Sequence, residues 1–213
     1  MFVNLSILNA PLDNLDEYLG RLTFIPIIHL DIMDGKFVPE KSFGCEVAKK
    51  AYKAAPGSVM DVHLMVENPE DYFQDYKEAG ADYITFHYEV GDIDKKIDMI
   101  HNMGLKAGLS IKPNTDVKVL DPYLDKIDQI LIMSVEPGWG GQKFLPSAID
   151  KVKYLKEYKV KNDKHFLIAI DGGINLETGM LIKDYCDLAI VGSAITKADN
   201  YVEAYYKHLQ GLM

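Results

Sequence analysis

Eight short apolar runs recur along the chain, with longer segments of mixed polarity between them. The runs cover residues 2–8, 26–32, 58–65, 83–87, 106–111, 129–135, 165–171 and 188–192. They are rich in Ile, Val, Leu and aromatic residues, and their length suits strands. The intervening segments read as helices. In 11–22, PLDNLDEYLGRL, leucines at 12, 15, 19 and 22 form a helical stripe. In 68–80, NPEDYFQDYKEAG, Asn68 is placed for an N-cap, Pro69 for the first turn and Gly80 for the C-terminus. The stretches DIDKKIDMIHNMG (92–104) and PSAIDKVKYLKEY (146–158) follow the same logic.

Strand and helix alternate about eight times, with no linker and no low-complexity segment. Such alternation means parallel strands joined by crossover helices. Eight units predict an α/β fold, a single (β/α)8 TIM barrel occupying residues 1–213 as one domain. A doubly wound open sheet is the alternative architecture. In a barrel, reactive groups gather at the C-terminal ends of the strands, and that gives each unusual residue an address.

The segment PIIHLDIMDGKFVP, Pro26 to Pro39, puts polar groups where apolar ones belong. His29 and Asp31 are two apart, so a strand points both the same way, and Met33 continues that face. A buried carboxylate costs several kcal/mol, roughly, unless it is paired or binds a cation. His63 closes VMDVHLM, His87 closes YITFH, and Asp171 closes FLIAID. Singly, each has an ordinary reading as a hydrogen-bonded core or turn residue. Together, His29, Asp31, His63 and Asp171 form a ligand set for one divalent metal per subunit: Zn2+, Fe2+, Mn2+ or Co2+. Asp61 shares the face of His63 but sits deeper, as a supporting partner. His87 is either such a partner or a core residue.

Composition narrows the partners. The chain has 213 residues and a net charge of −9, which argues against nucleic acid. No apolar run reaches membrane-spanning length, and MFVNLSIL lacks the features of a signal peptide. Cys45 and Cys186 match no C-x-x-C pattern and read as reduced thiols, so a cytoplasmic location is expected. An anionic substrate would need backbone donors or a metal in place of a basic surface. Glycines supply that possibility: EPGWGGQKF holds Gly138, Gly140 and Gly141 after one strand, while DGGIN and VGSAI follow the last two. Loops after strands 7 and 8 are the customary phosphate site of these barrels. Plain turn chemistry is the ordinary reading of any one glycine pair; three such loops on consecutive late strands favour phosphate.

The motifs HLDIMDGKFVP, DVHLMVENP, MSVEPGWGGQKF, DGGI and VGSAI, with Ser6-Ile7-Leu8 before them, occur in this order along the chain. In them the chain resembles the ribulose-phosphate 3-epimerase family from end to end. The resemblance implies a barrel of the ribulose-phosphate-binding type that interconverts D-ribulose 5-phosphate and D-xylulose 5-phosphate. It implies metal ligation by His29, Asp31, His63 and Asp171, with Asp31 and Asp171 as the catalytic acid/base pair. Ser6 and His63 would contact substrate. Gly138, Trp139, Gly140, Gly141, Gly172, Gly173, Gly192 and Ser193 would hold it, mostly by the phosphate. Met33, Met65 and Met133 would line the cavity beneath the reacting carbons. A small-molecule ketose phosphate is the expected partner, and an assembly of identical subunits is expected.

The chain departs from the family's usual pattern at Asn9-Ala10-Pro11, Lys36, Glu40 and Lys112. None of these removes a proposed ligand, but they bear on the exact sugar. A 3-epimerase of a six-carbon ketose phosphate, such as D-allulose 6-phosphate, would use the same carboxylates. Lyases and decarboxylases on similar barrels use a D-x-K-x-x-D strand, and here Met33 stands two residues after Asp31. A sugar-phosphate-binding barrel without turnover should have lost a carboxylate or a ligand, and all four residues are present.

Overall fold

The computed structural model describes residues 1–22 and 24–213. Eight parallel strands close a barrel in chain order: β1 (Phe2–Ser6), β2 (Ile27–Met33), β3 (Val59–Met65), β4 (Tyr83–His87), β5 (Lys106–Ile111), β6 (Gln129–Met133), β7 (Leu167–Asp171) and β8 (Leu188–Val191). The fold is a single (β/α)8 TIM barrel, and the open-sheet alternative does not apply. Closure follows from β1 pairing with both β2 and β8.

Alternation within each strand separates two environments. Ile28, Leu30 and Ile32 of β2, and Met60, Val62 and Leu64 of β3, join one large apolar cluster with residues of the surrounding helices. Their neighbours of opposite parity, His29, Asp31, Asp61 and His63, point into the barrel and are equally buried. The interior itself is divided. Leu131, Met133, Ala169, Leu188 and Ile190 make an apolar cluster on β6 to β8. Asn4, Ser6, His29, Asp31, Asp61, His63, Thr85 and His87 make the facing half polar. Such a half is stable only if its polar groups satisfy one another, and this requirement organises the site.

The helices are α1 (Leu15–Gly20), α2 (Cys45–Ala54), α3 (Phe73–Glu78), α4 (Ile93–Asn102), α5 (Ser147–Lys161), α6 (Leu176–Ile182), α7 (Ser193–Thr196) and α8 (Tyr201–Leu212). Three details differ from the pattern-based expectation. The first two helical stretches open as 3₁₀ turns, Leu12–Asn14 and Pro69–Asp71, before becoming α-helical. Asn68 precedes the second of these turns and makes no side-chain cap. The β5–β6 crossover carries a 3₁₀ helix, Val117–Tyr123, in place of an α-helix. Pro122 lies inside it and cannot donate the hydrogen bond an α-helix would need. The C-terminal α8 is tied back to α1 by the stacked rings of Tyr18 and Tyr201, whose centroids are 4.2 Å apart. No helix among the described residues is long and apolar enough to cross a membrane.

Candidate active site

Parallel register between β2 and β3 builds the centre of the site. It aligns His29 with Asp61, Asp31 with His63, and Met33 with Met65. Each His therefore faces a carboxylate across the strand gap. His29 Nδ1 lies 2.8 Å from Asp61 Oδ2, and His63 Nδ1 lies 3.1 Å from Asp31 Oδ1. Asp61 also accepts from Gln129 Nε2 at 3.1 Å and from Asn4 Nδ2 at 3.5 Å, which anchors it at the barrel floor. Asp61 thus supports His29 from below. His87 is a supporting residue as well: its Nε2 is 2.9 Å from His63 Nε2.

His29, Asp31, His63 and Asp171 each offer one ligand atom, and these atoms all lie within 4.8 Å of one another. The set suits a divalent cation on two grounds besides its spacing. First, His29 Nε2 is fully buried and has no hydrogen-bond partner among the described residues, although it stands 3.2 Å from Asp31 Oδ1. Its ring is turned so that Nδ1 meets Asp61 and the second nitrogen points at the quartet. Second, the pocket favours positive charge. Burial alone would lower the His29 pKa, yet the Asp31 and Asp61 carboxylates raise it well above the ordinary value. The quartet can therefore hold a divalent ion through nitrogen and oxygen donors.

The two outer carboxylates of the site have opposite acidities. Burial would raise Asp31, but His29 and His63 outweigh it and hold Asp31 well below the usual carboxylate range. Ser6 Oγ adds a hydrogen bond to Asp31 Oδ2 at 2.9 Å. Asp171 is pushed up to about 7, by burial first and then by the charge of Asp31. At neutral pH Asp31 is therefore ionised and Asp171 partly protonated. Burial lowers His63 and takes His87 down to about 4, so both imidazoles are neutral.

Above the quartet opens a cavity of roughly 530 Å³, the solvent at its mouth included. Met33, Met65 and Met133 line it, as do Ser6, Asp31 and Asp171. Its far wall is formed by the three glycine loops, with Gly138, Trp139, Gly140, Gly141, Gly172, Gly173, Gly192 and Ser193 all contributing. Gly172 (φ +118°) and Gly173 (φ +63°) adopt conformations that side chains disfavour. A Cβ at Gly173 would stand 2.5 Å from the Phe144 backbone nitrogen, so the β7 loop is packed directly on the β6 loop. Trp139 is half-exposed at the rim. Lys36 and Glu40 are exposed on the β2 loop, whereas Lys112 sets its ammonium 3.9 Å from the centre of the Phe37 ring.

Two of three further contributors carry no signal in the sequence, and the third, Asn9, stands out there only as a departure from the family pattern. Ser134 Oγ donates to the carbonyls of Asp171 and Gly172. Asn9 reaches over Gly140, its Nδ2 lying 2.3 Å from where a Cβ would stand. The Lys197 ammonium lies 3.7 Å from the Cβ position of Gly141. Only the folded loops bring the end of α7 and the β6 loop together.

Fold and site together define a (β/α)8 barrel whose buried His/Asp cluster could hold a divalent ion. The sequence profile of the ribulose-phosphate 3 epimerase family matches residues 2–196. Curated ribulose-phosphate 3-epimerases are clear relatives. The enzyme of Bacillus subtilis is 39% identical over 171 residues, spanning 79% of this chain and 78% of its own. That of Aquifex aeolicus is 37% identical over 189 residues, spanning 88% and 84%. That of Mycobacterium bovis is 38% identical over 200 residues, spanning 92% and 86%. The chain belongs to the ribulose-phosphate 3-epimerase family and is an isomerase. More distant solved structures share the fold alone. A 3-hexulose-6-phosphate synthase superposes with TM-score 0.76 at 14% identity, covering 100% of both chains. The orotidine 5'-phosphate decarboxylase of Pyrococcus horikoshii gives 0.73 at 13%, covering 99% of both.

Proposed function

We propose that the chain interconverts D-ribulose 5-phosphate and D-xylulose 5-phosphate by moving a proton at C3. The observation that carries this reading is the convergence of Asp31 and Asp171, with His29 and His63, at the foot of one cavity. A proton beside a ketone is weakly acidic, and inversion requires its removal from one face and return to the other. Asp31, ionised, takes the proton; Asp171, protonated, supplies one. In the reverse direction the roles exchange. Ser6 holds the Asp31 carboxylate in place through its 2.9 Å hydrogen bond. A divalent ion (Zn2+, Fe2+, Mn2+ or Co2+, one per subunit), bound by His29, Asp31, His63 and Asp171, supplies Lewis-acid stabilisation of the developing negative charge.

The phosphate is assigned to the loops of Gly138 to Gly141, Gly172, Gly173, Gly192 and Ser193. Backbone donors there suit an acidic protein that lacks a basic pocket. Met33, Met65 and Met133 form an apolar wall that keeps water from the reacting carbons. The reading includes a cytoplasmic enzyme, in keeping with its unpaired Cys45 and Cys186. It also includes an assembly of identical subunits, in keeping with exposed apolar side chains such as Met180 and Leu181 of α6.

The test is a coupled assay on purified protein of measured metal content, comparing D-ribulose 5-phosphate with D-allulose 6-phosphate. A higher kcat/KM for the five-carbon substrate is expected. A higher value for the six-carbon sugar would assign the chain to that reaction instead.

A further inference from the structure

A neutral imidazole carries one proton and one lone pair, and its neighbours decide which nitrogen has which. For His29 the choice is direct. Asp61 accepts only, so Nδ1 keeps its proton, and Nε2, which faces Asp31, is the nitrogen a cation would bind. For His63 no carboxylate stands behind the ring. Its Nε2 faces His87 Nε2 at 2.9 Å, a contact in which one nitrogen must donate and the other accept.

The decision is made one residue further out. His87 Nδ1 lies 3.2 Å from Glu89 Oε2. Glu89 sits on the 3₁₀ turn Tyr88–Val90 that follows β4. Its other oxygen is fixed by the Lys112 backbone N–H at 2.8 Å and by the Thr115 hydroxyl. An ionised carboxylate accepts only, so His87 carries its proton on Nδ1 and accepts at Nε2. His63 then donates from Nε2, in competition with Asp31 Oδ1, which at 3.1 Å would take a proton from Nδ1. A cation between Asp31 and His63 settles that competition, since it stands in place of the proton and needs Nδ1 bare. Two acceptors facing each other in a buried site repel unless a cation lies between them.

We propose that Glu89 is a positioning residue for the cation site: through His87 it fixes the proton on His63 Nε2 and leaves Nδ1 free to bind metal. The inference rests on the divalent-ion reading of the quartet and deepens it. Asp61 serves His29 directly and Glu89 serves His63 by relay, so both imidazoles present a lone pair to the same point.

The discriminating variant is Glu89→Gln. The amide oxygen can keep the Lys112 and Thr115 bonds, and the amide NH2 then donates to His87 Nδ1. That reverses both rings and puts a proton on His63 Nδ1, in the place of the metal. Thr115→Val is the control, since it weakens the same carboxylate's anchorage without facing His87. Two measurements are made on each protein: zinc affinity against a competing chelator, and long-range nitrogen–proton correlation spectra of the histidine rings at about pH 8 with and without zinc. Thermal unfolding checks that each variant is folded. With zinc bound, the wild type and Thr115→Val should show His63 protonated at Nε2. Glu89→Gln should show Nδ1 protonation in the metal-free protein and bind zinc roughly 10–100-fold more weakly, the usual scale for an outer partner of a ligand. If the wild type binds no zinc, the divalent-ion reading falls and takes this inference with it. If the wild type binds zinc and Glu89→Gln binds it equally well with His63 unchanged, the role of Glu89 alone is overturned.

Discussion

The hydroxyl of Ser134 donates to the backbone carbonyl of Asp171 at 2.8 Å and to that of Gly172 at 2.7 Å. A residue just past β6 therefore fixes the exit of β7, where a carboxylate enters the cavity and the chain turns at positive φ. The Ser134 backbone N–H meets the same Asp171 carbonyl at 2.7 Å. Ser134→Ala would leave that bond and remove the donor to Gly172. A buried carbonyl left without a donor costs on the order of 1–3 kcal/mol. A loss of stability of that size is expected in urea unfolding, with a fall in kcat larger than any change in metal content. A variant with unaltered stability and kcat would show that the strand exit is held by other contacts.

Glycine at 173 is required by both conformation and space. Gly173→Ala places a side chain at φ +63° with its Cβ 2.5 Å from Phe144 N. The β7 loop must move, so KM for the phosphorylated ketose should rise while the quartet retains its metal. Lys197 offers a milder test of the same region. Its ammonium is exposed, and an exposed charge contributes about 0–1 kcal/mol. Lys197→Ala should therefore raise KM by no more than about 5-fold with kcat unchanged, the factor that corresponds to 1 kcal/mol. An effect growing at low salt would mark the contribution as electrostatic. If Gly173→Ala left KM unaltered, the phosphate would have to lie elsewhere.

Away from the reaction, Asp128 ties the lower edge of the barrel. It accepts from Ala107 N and His101 Nε2, both at 2.9 Å, and from Lys106 Nζ at 3.0 Å. Burial would raise its pKa, but these three donors outweigh it and lower the carboxyl below its ordinary value. A depressed carboxylate stabilises the fold above its unfolded pKa of about 3.9. That contribution is lost as pH falls from this value through the lower folded one. The wild type should therefore lose urea stability below about pH 4 to 5 more steeply than Asp128→Asn does. At pH 7 the variant should be less stable by about 1 kcal/mol, a figure reduced for partial exposure. Parallel pH dependences for the two proteins would remove Asp128 from the acid response.

The quartet was legible because strand alternation is unforgiving. In IIHLDIM every second residue is outward and apolar, so His29 and Asp31 had to point inward, and the same parity placed Asp61 and His63. Barrel closure then brought Asp171 to them from the seventh strand. What could not be read depends on which loops meet. Ser134, Lys197 and Glu89 are ordinary polar residues whose roles arise only when the exits of β4 to β8 are packed together. The β5–β6 crossover departs from the strand–helix alternation for a local reason: a 3₁₀ helix forms where Pro122 interrupts the backbone donors.

The proposed pairing of Asp31 as base with Asp171 as acid makes a stereochemical prediction. If each carboxylate serves one face, the proton leaving a substrate goes to one group and the proton entering the product comes from the other. The incoming proton has exchanged with solvent. In heavy water the product should acquire deuterium at C3 at once, while residual substrate is labelled more slowly. Asp31→Asn and Asp171→Asn should each lower kcat by ~10²-fold or more, the usual scale for a lost general acid or base. The two variants should differ in a second respect. Asp31 lies close to both His29 and His63, at 3.2 and 3.1 Å, so its replacement should weaken metal binding through three of the four residues. Asp171 touches neither histidine in this way, and its variant should retain more of the ion. Metal analysis of both variants separates lost acid–base function from lost metal. If either Asn variant epimerised at a near-normal rate with its ion bound, that carboxylate would be dispensable as a base. A single group swinging between the two faces would then replace the two-base scheme, and it would return part of the original proton to the product.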